Sequence, residues 1–340
     1  MNNSNTIPVD SLSESRLGVL HLHRYWDKVR LMRSGILAQD ALQEEWNIDT
    51  TLFAVLGLGI EQTIKHLYPS DTPFSAFEDW ILDINGGHLE MTKVEAFNNY
   101  IRNRYSTWQN SDATVLTEDD MDFWNENGYV IIREAIPAGD CRATIKAICE
   151  FIDISPDDPL TWYNPHPARQ GIMVQLFQHP ALEKNRQSIK IRSAYEQLWQ
   201  RKDLWMNTDR VGFNPPETKD WKFPGPRLHW DVSLALPIPF GLQGILYLSD
   251  TVANQGAFTL VPGFQQRIES WLNSLPPGAD PRKEDMYALG AQPIAANAGD
   301  FILWHQALPH GSSPNHSAHP RFVQYLNYAP LDAEVNSIWK

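Results

Sequence analysis

Two histidines and one aspartate in the last third of the chain are of the residue types that form a metal centre. His229 and Asp231 flank Trp230, and His310 lies 79 positions beyond Asp231. Two histidines and one carboxylate on one face of an ion leave coordination positions open, which is the arrangement of non-haem Fe(II) centres. The residues therefore suggest an iron site where a co-substrate and oxygen could both bind.

The spacing of one histidine and one acid has little weight alone. With 11 histidines and 41 acidic residues in 340 positions, about one such pair is expected by chance. A second pair, His88 and Glu90, follows a Gly-Gly turn. No later histidine lies in a motif that would make it the third ligand of this pair, so we interpret the pair as structural. His229 and Asp231 differ because they fall on a predicted strand, residues 228–234. Residues i and i+2 of a strand point to the same face, so both side chains could reach one ion.

The region after residue 205 has the sequence pattern of a β fold. Short apolar runs alternate there with proline and glycine, which is typical of an antiparallel sandwich or barrel. Residues 268–291 interrupt this pattern with a predicted short helix and a proline-rich stretch, and this insertion could act as a lid. The apolar runs cover residues 228–234, 244–248, 257–261, 301–304 and 322–328.

The N-terminal region is of a different kind. Residues 17–105 have the apolar spacing of helices, with a predicted capping box at residues 92–95. Residues 106–116 show no clear periodicity. A second capping signature at residues 117–120 opens a helix that leads into a predicted strand at residues 129–132. We therefore predict an N-terminal helical domain over residues 1–112 and a second domain over residues 113–340.

Composition excludes several classes of function. The formal net charge of -13 and the pI near 5.3 argue against binding to nucleic acid or to an anionic membrane. The longest apolar stretch, residues 52–60, is far shorter than the ~18 residues of a spanning helix, and the polar N-terminus does not resemble a signal peptide. Cys141 and Cys149 lie too far apart on one predicted helix for a disulfide. These features predict a cytoplasmic protein with reduced thiols.

Several segments between residues 116 and 330 together resemble the phytanoyl-CoA dioxygenase family of Fe(II)/2-oxoglutarate oxygenases. The chain departs from the family pattern at Phe264-Gln265, where Ser-His is common, and at Trp230, where Gln is frequent. Neither departure affects a metal ligand. The matching segments are Leu-Thr-Glu at 116–118, Asn-Gly-Tyr-Val-Ile at 127–131, Leu-His-Trp-Asp at 228–231, Asn-Gln-Gly-Ala-Phe-Thr-Leu-Val-Pro-Gly at 254–263, Gly-Asp at 299–300, His-Gly-Ser-Ser-Pro-Asn at 310–315 and Pro-Arg at 320–321.

The resemblance implies a mainly β fold with added helices, in which a double-stranded β-helix (a jelly-roll or cupin-like core) follows the N-terminal helical domain. It implies His310, and not the nearby alternative His305, as the third metal ligand. Arg321 would hold the distal carboxylate of 2-oxoglutarate with help from Ser312, because a planar guanidinium matches a carboxylate and stays charged when buried. Gln243 falls on a predicted strand and could also contact the cofactor.

The resemblance also implies a reaction. A dioxygenase of this kind uses Fe(II), 2-oxoglutarate and O₂ to hydroxylate an unactivated C–H bond, and it releases succinate and CO₂. Asp231 favours hydroxylation, because related halogenases have a small residue at the carboxylate position; desaturation and ring formation stay open. Arg210 could contact the cofactor or the substrate.

Two other classes of function and the partners stay open at this point. The alternatives to an oxygenase are a non-catalytic jelly roll that binds a ligand or a partner, and a cupin-type isomerase. We expect a small-molecule substrate, which could be tethered to CoA or to a carrier protein. The helical domain could cover the mouth of the site, dock such a carrier or mediate a homodimer.

Overall fold

A computed structural model describes residues 15–37, 45–69, 71–102, 114–336 and 338–340. These residues belong to two compact units. The first unit contains the described residues up to position 102 together with Trp205–Thr208, and the second contains the others. The predicted division between residues 112 and 113 lies outside the described residues.

The first unit is helical, as predicted. Buried Phe77 and Phe97 contribute to its core. The capping box predicted at residues 92–95 is wrong, because the Val94 N–H already donates to the Glu90 carbonyl and the helix has therefore begun. The described helices of this unit are α1 (Leu22–Arg33), α2 (Trp46–Val55), α3 (Ile60–Leu67), α4 (Phe74–Ile84) and α5 (Met91–Ile101).

The second unit begins with a helix that is capped as its sequence predicts. The Thr117 hydroxyl accepts a hydrogen bond from the Asp120 N–H at 3.2 Å. Gly128 ends this helix in the left-handed region, with φ 73°, and the chain turns directly into a strand. Cys141 and Cys149 are buried, free thiols of one helix. The helices of this unit are α6 (Glu118–Asn127), α7 (Ala138–Phe151), α8 (Pro180–Arg186), α9 (Ile189–Trp199) and α10 (Ile268–Ser274).

Two antiparallel sheets hold most of the strands of the second unit. Seven strands form one sheet in the order β1-β9-β6-β11-β5-β3-β2, and three form the other in the order β10-β7-β8. The strands of the chain are β1 (Tyr129–Ile132), β2 (Arg169–Gln170), β3 (Met173–Val174), β4 (Leu204–Met206), β5 (Val211–Asn214), β6 (Leu242–Tyr247), β7 (Phe258–Leu260), β8 (Gln292–Pro293), β9 (Phe301–His305), β10 (His310–Ser312), β11 (Arg321–Tyr325) and β12 (Tyr328–Pro330).

The core of the second unit draws apolar side chains from both sheets. Ile245 and Val323 of the large sheet belong to the same buried cluster as Phe258 and Leu260 of the small sheet. Burial of alternate strand residues between two sheets is the organisation of a jelly roll. The predicted fold class, a double-stranded β-helix with an N-terminal helical region, is confirmed. No helix in the described part of the chain has the length and hydropathy to cross a bilayer.

Candidate metal centre

Backbone pairing brings His229 and His310 together. The His229 N–H donates to the His310 carbonyl at 2.9 Å, and the His310 N–H donates to the His229 carbonyl at 3.0 Å. His310 is also the first residue of β10. The next position must be glycine, because a Cβ on Gly311 would lie 2.5 Å from the carbonyl oxygen of Arg227. The absence of a side chain at Gly311 thus allows the two histidine segments to approach.

The side chains of the three predicted ligands converge on one point. Nε2 of His229 lies 3.3 Å from Oδ1 of Asp231, and Nε2 of His310 lies 3.2 Å from Oδ2. The Nδ1 atoms lie 2.7 Å from the Arg227 carbonyl and 3.0 Å from the Leu308 carbonyl. Because a carbonyl can only accept, each Nδ1 carries a proton, and Nε2 is the ring atom that faces the carboxylate and can bind an ion once it has lost its own proton. This donor set fits a divalent metal ion.

Electrostatics at the site favour an ionised carboxylate. Burial would raise the pKa of Asp231, but hydrogen bonds from His229 and His310 outweigh it and hold the pKa well below its usual range. For His229, burial would lower the pKa, but the hydrogen bond and charge of Asp231 raise it above the ordinary 6.5. A cation placed between these side chains would therefore replace a proton that Asp231 already attracts.

The strand predicted over residues 228–234 is wrong. It is reduced to one isolated backbone bridge at His229, and a bend follows. The carbonyls of Trp230 and Val232 do not meet a neighbouring strand; they accept hydrogen bonds from the side chain of Arg282 at 2.8 and 2.6 Å. No sequence pattern predicts this contact, because Arg282 lies 50 positions beyond Val232 in the insertion.

The alternative ligands from the sequence do not join this group. Nδ1 of His305 accepts a hydrogen bond from the Ala307 N–H at 3.0 Å, and burial lowers the pKa of this histidine to about 4. The group that could hold a metal contains His310 instead. His88 is exposed, with its Nδ1 at 3.3 Å from the Gly86 carbonyl.

A second set of metal-type donors lies in the helical unit, and a lysine already occupies it. His21, Glu45 and Asp49 bring ligand atoms within 4.8 Å of one another. The fully buried Lys28 ammonium contacts the Asp49 carboxylate and lies 3.1 Å from Oε2 of Glu45. Since this cation satisfies both carboxylates, we interpret the set as a buried ion-pair network.

Arg321 is fully buried and lacks an acidic partner. Its side chain is 0% exposed, and Nη2 donates to Oγ of Ser312 at 3.0 Å. Nε and Nη1 have no hydrogen-bond partner. A buried cation with two unsatisfied donors is costly unless an anion accepts from it. The guanidinium therefore fits a carboxylate ligand, as predicted for 2-oxoglutarate.

Gln243 contacts the carboxylate of Asp231. Its Nε2 donates to Oδ2 at 2.7 Å, while its Oε1 is buried and has no partner. The structure therefore places Gln243 beside a candidate metal ligand, and its contact with the cofactor stays a prediction. A carboxylate that accepts from both an amide and two histidines is held in one orientation.

The three candidate ligands, Gln243 and Ser312 line one pocket of about 160 Å³. Arg210, for which the sequence suggested a contact with cofactor or substrate, also lines it. Sequence reasoning missed the remaining lining residues because they come from separate strands and loops that only the fold brings together. Those that differ most in chemistry are Met173, Asp209, Trp304, Tyr325 and Asn327.

A fold of two facing sheets in which two histidines, one carboxylate and a buried arginine are brought together has the architecture of a jelly roll and the donor set of a non-haem metal oxygenase. Residues 124–323 match the family model described as phytanoyl-CoA dioxygenase (PhyH). The chain belongs to the phytanoyl-CoA dioxygenase family, whose members are Fe/2-oxoglutarate-dependent oxygenases or related enzymes. The family resemblance seen in the sequence is confirmed.

Individual relatives are distant. A Dictyostelium discoideum protein named as a phytanoyl-CoA dioxygenase is 24% identical over 268 residues, which cover 64% of this chain and 76% of that protein. EctD from S. alaskensis with bound Fe is 16% identical, with a TM-score of 0.49 over 68% of this chain and 82% of EctD. HygX from Streptomyces hygroscopicus, with nickel and 2-oxoglutarate bound, is 14% identical, with a TM-score of 0.46 over 64% of this chain and 88% of HygX.

Proposed function

We propose that this protein is an Fe(II)- and 2-oxoglutarate-dependent dioxygenase that hydroxylates an unactivated C–H bond of a small molecule. The observation that carries the proposal is the combination of two sites in one fold. His229, Asp231 and His310 form a donor set for a divalent metal, and Arg321 is a buried cation that lacks an anion. A protein that only bound a ligand or a partner would have no need of both.

Each residue has a defined task in this proposal. His229, Asp231 and His310 would bind Fe(II) on one face and leave the opposite face open. Arg321 would pair with the distal carboxylate of 2-oxoglutarate, and Ser312, already 3.0 Å from its Nη2, would support it. When bound, iron and 2-oxoglutarate supply the oxidation of the C–H bond by O₂, with release of succinate and CO₂.

The surrounding side chains protect and orient the site. The ring of Trp304 lies 5.1 Å from that of His310, and the ring of Phe258 lies 5.9 Å from it. These aromatic rings pack beside His310 and would shield that side of the metal position from water. Asp231 fills a ligand position that a small residue would leave open for halide, which supports hydroxylation.

The nature of the substrate belongs to the same proposal. The pocket presents Arg210 and Asp209 as well as the apolar side chain of Met173, which suits a small molecule with both polar and apolar parts. We propose that such a substrate, free or tethered to CoA or to a carrier protein, is the partner of a cytoplasmic enzyme that binds neither nucleic acid nor membranes.

Conversion of 2-oxoglutarate to succinate tests the proposal without knowledge of the substrate. Oxygenases of this kind can consume 2-oxoglutarate slowly in the absence of substrate. The readout is therefore O₂-dependent succinate formation by the Fe(II)-loaded protein. We expect wild-type protein to form succinate and Asp231→Ala to form none, because one of three ligands is lost. His305→Gln, which changes a histidine outside the donor set, should retain the wild-type rate. Equal rates for wild type and Asp231→Ala would contradict the proposal.

A further inference from the structure

Arg282 holds the backbone on both sides of Asp231. It lies in the insertion of residues 268–291, on the short 3-10 helix Pro281–Lys283 that follows α10. Its Nη1 donates to the carbonyl of Trp230 at 2.8 Å, and its Nη2 donates to the carbonyl of Val232 at 2.6 Å. The two acceptors are the residues immediately before and after the candidate metal ligand.

The backbone on both sides of Asp231 lacks the support of a strand, whereas the buried Trp230 side chain has its own anchor, a hydrogen bond from Nε1 to the Ala307 carbonyl at 2.9 Å. This segment is a bend and not a strand, so the two carbonyls lack the ladder partners that a sheet would provide. Buried or half-buried carbonyls need a donor, and the planar fork of Arg282 supplies two at a fixed spacing. Two hydrogen bonds from one side chain thus take the place of those that a neighbouring strand would donate to these carbonyls.

Arg282 is itself fixed in place. Its guanidinium lies 4.9 Å from the centre of the Trp339 ring, and its Nη2 also donates to the Lys340 carbonyl at 2.9 Å. Residues near the C-terminus are tied to the same loop, because the Ser233 hydroxyl donates to the Ile338 carbonyl at 2.6 Å. Because these contacts hold the Arg282 guanidinium in place, its hydrogen bonds fix the position of the segment that carries Asp231.

We propose that Arg282 is a positioning residue for the metal ligand Asp231, an inference that rests on the proposed function. His229 and His310 are joined by their own backbone bridge, whereas the carbonyls on both sides of Asp231 are bonded by Arg282. The Asp231 carboxylate contacts Gln243 and the two histidines. Loss of Arg282 frees the Asp231 backbone and leaves the two histidines in place. The carboxylate then moves relative to the histidines, and the metal is held less tightly.

Metal binding by three variants tests this inference. Arg282→Met removes both hydrogen bonds, and Arg282→Lys keeps the charge but offers a point donor in place of a planar fork. Arg267→Met is the matched control: Arg267 immediately precedes the insertion, packs on Phe264 and donates to the Leu289 carbonyl at 2.7 Å, a carbonyl outside the segment around Asp231. The readouts are calorimetric titration of the metal-free protein with Mn(II) and the visible absorption of the anaerobic Fe(II)/2-oxoglutarate complex.

We expect Arg282→Met to weaken Mn(II) binding by about tenfold to a hundredfold, the range found for residues that orient metal ligands. The absorption band of this variant should also shift from that of wild type. Arg282→Lys should recover only part of the affinity, and Arg267→Met should bind as wild type. A circular dichroism melt of each metal-free variant checks that it is folded.

Several results would overturn the inference. These are wild-type affinity and spectrum in Arg282→Met, full recovery in Arg282→Lys, or an equal loss in Arg267→Met. If Arg282→Met does not fold, Arg282→Lys decides: reduced affinity supports the inference and wild-type affinity contradicts it. Absence of metal binding in the wild-type protein would contradict the proposed function as well, whereas normal wild-type binding with an unchanged Arg282→Met contradicts the role of Arg282 alone.

Discussion

At the scale of single residues, the site is defined by which polar atoms have partners and which do not. The Nδ1 atoms of His229 and His310 are satisfied by backbone carbonyls, so only their Nε2 atoms are available to an ion. Arg321 shows the opposite pattern, with two buried donors that lack an acceptor. The first arrangement fits a cation and the second fits an anion.

Replacing Arg321 separates binding from stability. We predict that Arg321→Met raises the KM for 2-oxoglutarate by at least about thirtyfold, since loss of one member of a buried charged pair costs roughly 2–5 kcal/mol. The melting temperature of the ligand-free protein should stay the same or rise, because an unpaired buried cation is removed. Ser312→Ala, which removes a neutral partner, should raise the KM only several-fold. A normal KM in Arg321→Met would contradict the assigned role.

The raised pKa of His229 predicts how metal binding depends on pH. Its pKa lies above the ordinary 6.5, and a metal ion must displace its proton. Affinity for Mn(II) should therefore fall by about tenfold per pH unit as the pH drops below that raised pKa. Asp231 should not contribute, because its pKa is held well below its usual range and it stays ionised. Titration calorimetry between about pH 8 and pH 6 measures this slope, and a constant affinity would count against a histidine ligand.

At the scale of elements, the site depends on close contact between β10 and residues 227–229. The sequence pointed to the three candidate ligands because they lie in family motifs and in the predicted β region, and the structure brings them together. Strands β1, β6, β9 and β11 follow the predicted apolar runs. The sequence did not predict the bend after His229, because the bend is stabilised by the side chain of Arg282 from a distant insertion. Local patterns carry no information about such a contact.

Gly311→Ala tests the close approach directly. The added Cβ would lie 2.5 Å from the Arg227 carbonyl oxygen and 3.0 Å from the Leu228 nitrogen. Because both contacts are with backbone, we predict a loss of about 1–3 kcal/mol in the free energy of unfolding, together with weaker metal binding as His310 shifts.

Gly139→Ala is the control for this variant. Its Cβ would meet nothing nearer than the Arg142 guanidinium at 3.9 Å, and alanine favours the helix α7 in which it lies. This variant should therefore be as stable as wild type or slightly more stable in a chemical denaturation series. Equal stability and metal affinity in Gly311→Ala and Gly139→Ala would contradict the account of the bridge.

At the scale of the whole molecule, the candidate site belongs entirely to one of the two units. Its residues are drawn from Met173 to Asn327, and the family match covers residues 124–323. The apolar runs and the family resemblance were enough to predict this fold, and the motifs predicted which residues form the candidate metal centre. The pocket wall was not predictable in the same way, because Asp209, Tyr325 and Asn327 have no distinguishing pattern until the sheets bring them together.

In the proposed function, one pocket binds both Fe(II) and 2-oxoglutarate. The most direct measurement is the visible absorption spectrum of the protein titrated anaerobically with Fe(II) and 2-oxoglutarate together. Wild-type protein should develop a charge-transfer band that neither component gives alone, and Asp231→Ala should show none. Absence of the band in wild type, or a band of equal strength in Asp231→Ala, would contradict the claim.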